Sequence, residues 1–170
     1  VGALLDCFPE SAAILNEHRQ IVRANDKLQR LVGRGEAMLI GMRMGEALRC
    51  QNGAAEPSGC GTTPACALCG TGRAIDVTRT RNRSATEECR LTLTHAQGHD
   101  SLDFRVGTTP IRINGAPFAV FTVRDTSDEH RRRVLERMFF HDVLNAAGGL
   151  RDVLRLWPEL PEEGRDELSR

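Results

Sequence analysis

The sequence has no net charge: 23 Lys and Arg side chains balance 23 Asp and Glu. A neutral balance offers no electrostatic footprint for a phosphate backbone, so nucleic acid is not an expected partner. Also missing is any apolar run approaching the roughly 18 to 20 residues that span a bilayer, and no charged-then-apolar leader opens the chain. No membrane partner is expected, and the chain reads as cytoplasmic. An initiating Met is absent, and the last residues, Leu168-Ser169-Arg170, fall inside an amphipathic pattern. A piece of a larger protein is therefore expected. Its 170 residues suffice for one compact domain and an appendage.

Six cysteines are present, four of them between positions 50 and 69. Reducing cytosol disfavours disulfides, so this crowding points to metal ligation. Cys50, Cys60, Cys66 and Cys69 follow the spacing C-x9-C-x5-C-x2-C, set among Gly59, Gly61 and Gly70. Four thiolates can close the shell of a tetrahedral ion or hold an iron–sulfur cluster. Small residues beside them let backbone N–H groups approach the sulfurs and offset their charge. The Cys66-x-x-Cys69-Gly turn is half of a zinc knuckle, but the other two cysteines do not make the second half. The run from Cys60 to Cys69 resembles the plant-type ferredoxin loop with one extra residue and its distant ligand upstream. An iron–sulfur cluster is favoured, with Zn2+ as the alternative. Cys7 and Cys89 read as small buried hydrophobes outside this centre. His18, His95, His99 and His130 lack ligand spacing and read as surface residues.

Along the chain, residues 1–9 read as a short apolar helical turn ended by Pro9, then two short strands over 11–16 and 20–25 across a turn at 17–19. A helix over 26–31 closes at Gly33, another is expected over 41–48, and a third over 73–77. Three longer strands follow over 88–94, 101–112 and 117–124, with turns at Gln97-Gly98 and Asn114-Gly115. From Asp128 a long helix is expected. Leu135, Phe139, Val143, Ala146, Leu150, Val153 and Trp157 recur at steps of three and four, a stripe that buries against a partner helix. His141 lies two residues before Val143, about 200° around the helix, and so off that stripe. Asp142 follows it, and Asn145 sits one turn on. Pro158 and Pro161 end the helix, and residues 162–170 read as the start of an antiparallel second one.

Residues 1–126 resemble a PAS domain: a first hairpin delivers Asn25 to start a helix, and three antiparallel strands end in Asp125-Thr126, an acidic-Thr exit into a signalling helix. The segment His141-Asp142-Val143-Leu144-Asn145 resembles the phospho-acceptor box of bacterial sensor histidine kinases, with Ala146 where the family often has proline. Gly148 and Gly149 stand in as sources of helix flexibility. The resemblance implies an α+β fold: a PAS-like antiparallel sheet flanked by short helices, with a long C-terminal dimerisation and phospho-acceptor helix. It implies a PAS sensor domain over 1–126 with a cysteine-rich insertion over 50–70, and a signalling helix with part of a histidine phosphotransfer domain over 127–170. His141 would take the γ-phosphate of ATP, Asp142 would orient it, and Asn145 would position water for dephosphorylating a response regulator. No Gly-rich phosphate loop is present, so ATP would be held by a domain outside this sequence. The implied partners are a second copy of the chain, that ATP-binding domain and a cognate response regulator. Redox state, oxygen, nitric oxide or iron is the expected input. The competing reading is a zinc-stapled PAS module for dimerisation or ligand binding with no redox role.

Overall fold

Asn114 and Gly115 both have positive φ, 51° and 83°, as a two-residue hairpin turn of the right twist requires. The turn joins β4 (Gly98–Ile113) to β5 (Ala116–Asp125), paired from Ile113↔Ala116 to Phe104↔Asp125. In this computed structural model, which describes residues 2–95 and 98–156, β3 (Ala85–His95) pairs with β4, and β1 (Ser11–Leu15) lies between β5 and β2 (Ile21–Ala24). The order is β2-β1-β5-β4-β3, antiparallel throughout. Three of these strands were expected to be shorter. Pairing with neighbours extends them, because an unpaired N–H or C=O beside a sheet costs more than weak local propensity.

One sheet face carries the main core. Phe104, Val106, Phe121, Val123, Cys89, Leu91 and Leu93 point to it, the period of two placing alternate residues on one side. Over that face run α2 (Asp26–Val32), α3 (Glu36–Leu39), α4 (Met44–Ala47) and α5 (Gly70–Arg81), contributing Leu28, Leu39, Met44, Ala74 and Ile75. A smaller cluster on the opposite face joins Leu5 of α1 (Gly2–Asp6) to Ala12 and Ile14. Asn25 caps α2. Its buried side chain accepts from the Leu28 and Ala12 N–H groups and donates to the Leu5 and Glu10 carbonyls.

α5 is longer than the expected 73–77. Gly70 and Gly72 obscure its start, but Gly70 is demanded by packing: a Cβ there would lie 2.2 Å from the Glu88 carbonyl oxygen of β3. Asn82, left-handed at φ 47°, ends it after Arg79 and Arg81, cations that suit a helix C-terminus. The helix expected over 41–48 contracts to Met44–Ala47, and α3 had no periodic signal. α3 is held by side chains: Ala24 N–H donates to Glu36 Oε1 at 3.0 Å, and Glu36 N–H to Gln29 Oε1 at 3.1 Å.

After Ser127 the chain divides into two units. α6 (Ser127–Leu156) begins on the last residue of the first unit, makes up the described part of the second and is continuous through Gly148 and Gly149. No described helix is long and apolar enough to cross a membrane. The expectations for Gln97, Trp157, the proline stop and the helix over 162–170 fall outside the described residues, as do the side chains of His95 and Val153.

Candidate functional site

Each of the four clustered cysteines is positioned by a different device. Cys50 bridges to Leu93 of β3, and its N–H donates to the Gly45 carbonyl at 2.7 Å. Cys60 sits on a loop clamped by α4: its N–H donates to Glu46 Oε1 at 3.1 Å, and Arg43 Nη1 donates to the Ser58 and Cys60 carbonyls at 2.8 and 2.9 Å. Cys66 lies in the 3-10 turn Pro64–Leu68, its sulfur 3.1 Å from the Thr63 hydroxyl. Cys69 caps the N-terminus of α5.

All four line one cavity of about 240 Å³, which also exposes Gly45, Gly53, Thr71 and Arg90. Backbone N–H groups converge on the sulfurs: those of Asn52 and Gly53 on Cys50, of Gly45 on Cys60, of Thr71 and Gly72 on Cys69. Gly45 is needed for this, since a Cβ there would lie 2.5 Å from Cys60 Sγ. Burial raises the Cys50 thiol pKa and pushes that of Cys60 up to about 11, with the neighbouring sulfurs adding to both. Cys69 goes the other way, lowered first by the Cys89 thiol beside it and then by the Thr71 and Gly72 N–H groups, against the opposing effect of burial.

The donor set is chemically suited to a thiophilic centre. Four sulfurs that crowd one another as anions gain from a cation among them, and N–H donors are the usual neighbours of metal-bound thiolates. Thr71 also lines the cavity, and its buried hydroxyl is directed to the sulfurs of Cys69 and Cys89. Among the described residues, no three Cys, His, Asp or Glu donors close on a common point as around a single ion.

The residue that sequence reasoning set apart is Cys89. It is 5 % exposed, as a small core hydrophobe should be, yet its sulfur lies 3.6 Å from that of Cys69. The strand pattern of 88–94 places it on the inner face, but only the packing of α5 on β3 brings it to Cys69. Cys7, expected to be buried, is exposed. It follows the last residue of α1, where the chain turns away from the small cluster held by Leu5. His18, His99 and His130 are at the surface, as expected. Glu46, Arg43 and Thr71 carried no signal, because their role is set by a loop folding back on them.

On α6, His141 is exposed. Asn145 Nδ2 is 3.1 Å from its Nδ1, and Asp142 Oδ1 is 3.4 Å from the same atom. These contacts are alternatives: Nδ1 accepts from the amide when bare and donates to the carboxylate when protonated. In the second tautomer Nε2 is the nitrogen with a free lone pair. Leu135, Phe139, Val143 and Leu150 of the expected stripe are exposed on the single chain, along with Met138, Phe140 and Leu144.

No protein-family model matches the sequence, and neither does any curated protein. Solved structures do. A PAS domain from Colwellia psychrerythraea aligns with 74% of this chain and 93% of its own at TM-score 0.52 and 16% identity. The PAS domain of nitrogen regulation protein NR(II) from Vibrio parahaemolyticus aligns with 73% and 95% at TM-score 0.50 and 14% identity. The fold is the PAS fold. A PAS domain from a two-component sensor histidine kinase also matches, over 73% and 91% of the chains, at TM-score 0.47 and 14% identity. At such identities the likeness shows the fold alone, the PAS sheet and its helices.

Proposed function

We propose that this chain is the sensory and phospho-acceptor portion of a two-component histidine kinase, its PAS domain holding an iron–sulfur cluster on Cys50, Cys60, Cys66 and Cys69. The observation that carries the reading is the convergence of four cysteines on one cavity, with backbone N–H groups aimed at the sulfurs of Cys50, Cys60 and Cys69 and the Thr63 hydroxyl at that of Cys66. Bound there, a cluster supplies one-electron redox chemistry and sensitivity to oxygen, nitric oxide or iron supply.

The chain's own residues offer a route from the cavity to the helix. Arg90 lines the cavity and pairs with Asp103 of β4 at 3.7 Å. The Asp103 carbonyl accepts from the Thr126 N–H at 2.7 Å, and its own N–H donates to the Ser127 hydroxyl at 2.9 Å. Ser127 is the first residue of α6, so a shift of β3 against β4 would pull on the root of the helix that carries His141. There His141 would accept the γ-phosphoryl group from ATP bound to a further domain, Asp142 would hold its tautomer, and Asn145 would orient water for dephosphorylating a response regulator. The apolar stripe of α6 would be buried in a parallel homodimer, and the working compartment would be the cytoplasm.

The second reading, zinc as a structural staple, is favoured by the all-thiolate donor set, which zinc shares. An absorption spectrum and metal analysis of anaerobically purified protein separate the two. Brown protein with iron and acid-labile sulfide supports the cluster, colourless protein with zinc supports the staple, and protein with neither metal refutes both.

A further inference from the structure

Nothing in a four-cysteine centre calls for a fifth thiol, yet Cys89 of β3 meets Cys69 at the cap of α5 with 3.6 Å between their sulfurs. Gly70 makes the approach possible: a Cβ there would lie 3.1 Å from Cys89 Cβ and collide with the Glu88 carbonyl. A disulfide needs sulfurs a little over 2 Å apart, a closure of about 1.5 Å that small side-chain torsions can supply. Access to the two thiols is unequal. Cys69 lines both the 240 Å³ cavity and a smaller one beside Arg43 and Ile75, whereas Cys89 lines neither. An oxidant arriving from solvent meets Cys69 first.

We infer that Cys69 and Cys89 form a dithiol–disulfide couple in which Cys69 reacts with the oxidant and Cys89 resolves it. With a small-molecule disulfide as oxidant, the Cys69 thiolate attacks one of its sulfurs; a mixed disulfide forms and one small thiolate leaves, taking up a proton. Cys89 then gives up its proton and attacks the Cys69 sulfur, forming the Cys69–Cys89 bond and releasing the second small thiol. Two electrons pass from the protein pair to the oxidant, which is reduced to two thiols. The product ties the start of α5 to β3 and withdraws Cys69 from the proposed centre, so this regulatory role rests on that reading, whereas the couple itself does not.

The test uses the full chain, stripped of metal by anaerobic chelation, then treated with oxidised glutathione and mapped by mass spectrometry without reduction. The expected product is lighter by about 2 Da and contains a peptide joining Cys69 to Cys89. Cys89→Ser and Cys89→Ala should stop at glutathione attached to Cys69. Recovery of Cys89 as a free thiol while Cys69 pairs with Cys60 or Cys66 would overturn the inference, and the unmodified chain alone decides this. Metal uptake is read separately: oxidised protein should take up on the order of tenfold less iron or zinc than reduced protein until a dithiol reductant is added. A chain that forms the Cys69–Cys89 bond yet never binds metal keeps the couple and refutes the centre. One that binds metal while Cys89 stays reduced does the reverse.

Discussion

At the scale of single residues, what distinguishes the cysteine cavity is how near the backbone comes to sulfur. Gly45 is the clearest case, because any side chain would occupy the place of the Cys60 thiol. Gly45→Ala is expected to lower metal content at least several-fold while the sheet persists, checked by metal analysis beside circular dichroism. In metal-free protein the thiols should also separate by pH. Cys69 is held low, so its thiolate, and with it alkylation by iodoacetamide, should persist well below the ordinary thiol range; Cys60, pushed up to about 11, should react only in strong alkali. Peptide-resolved alkylation between pH 5 and about 11 reads this directly, and faster reaction of Cys60 than Cys69 at neutral pH would contradict it. On α6 the amide of Asn145 can orient water but cannot take a proton. Joined to an ATP-binding domain, the His141→Ala chain should carry no acid-labile phosphate, and Asn145→Ala should keep phosphorylation but slow dephosphorylation of the regulator by about tenfold or more. Phosphohistidine on the His141→Ala chain would end the phospho-acceptor reading.

At the scale of elements, α6 presents a problem that a single chain does not solve. Leu135, Phe139, Val143 and Leu150 share a stripe, and each is at least 45% exposed. Burying a Leu or Phe side chain is worth about 2 kcal/mol, so a second copy of the helix stabilises the stripe wherever one is available. Light scattering should give a dimer mass at micromolar concentration, and Leu135→Glu with Val143→Glu should return it to a monomer with the PAS sheet intact. A dimer unaffected by both changes would place the interface elsewhere. Met138 and Phe140 lie about 100° to either side of this stripe and Leu144 follows Phe140 by one turn, so they flank the stripe and do not extend it.

Over the whole molecule, the sheet connects the cavity to the start of α6 through Arg90, Asp103, Thr126 and Ser127. Arg90 is exposed and Asp103 partly buried, and at 3.7 Å with one partner in solvent the pair contributes little stability by itself. Its replacement should therefore uncouple rather than unfold. Arg90→Ala in the kinase-complete protein is expected to leave metal binding and melting temperature within a degree or so while reducing the effect of oxidant on His141 phosphorylation by half or more. An undiminished response would rule out this route. Much of this plan was legible from local chemistry: Asn114-Gly115 demanded a hairpin, alternation marked the strands, the three-and-four spacing marked α6, and Cys-x-x-Cys-Gly marked the loop. These signals lie within a few residues of their consequences, so the sequence alone determined them. The convergence of Cys50 with Cys66, the clamp of Arg43 and Glu46 on the Cys60 loop, the extension of α5 back to Gly70 and the meeting of Cys69 with Cys89 depend on segments far apart in the chain. No local spacing encodes those contacts, and only tertiary packing decided them: α5 lies on β3, and the turn after α4 that carries Cys50 is bridged to Leu93 of the same strand, because burying the inner sheet face draws these distant segments together.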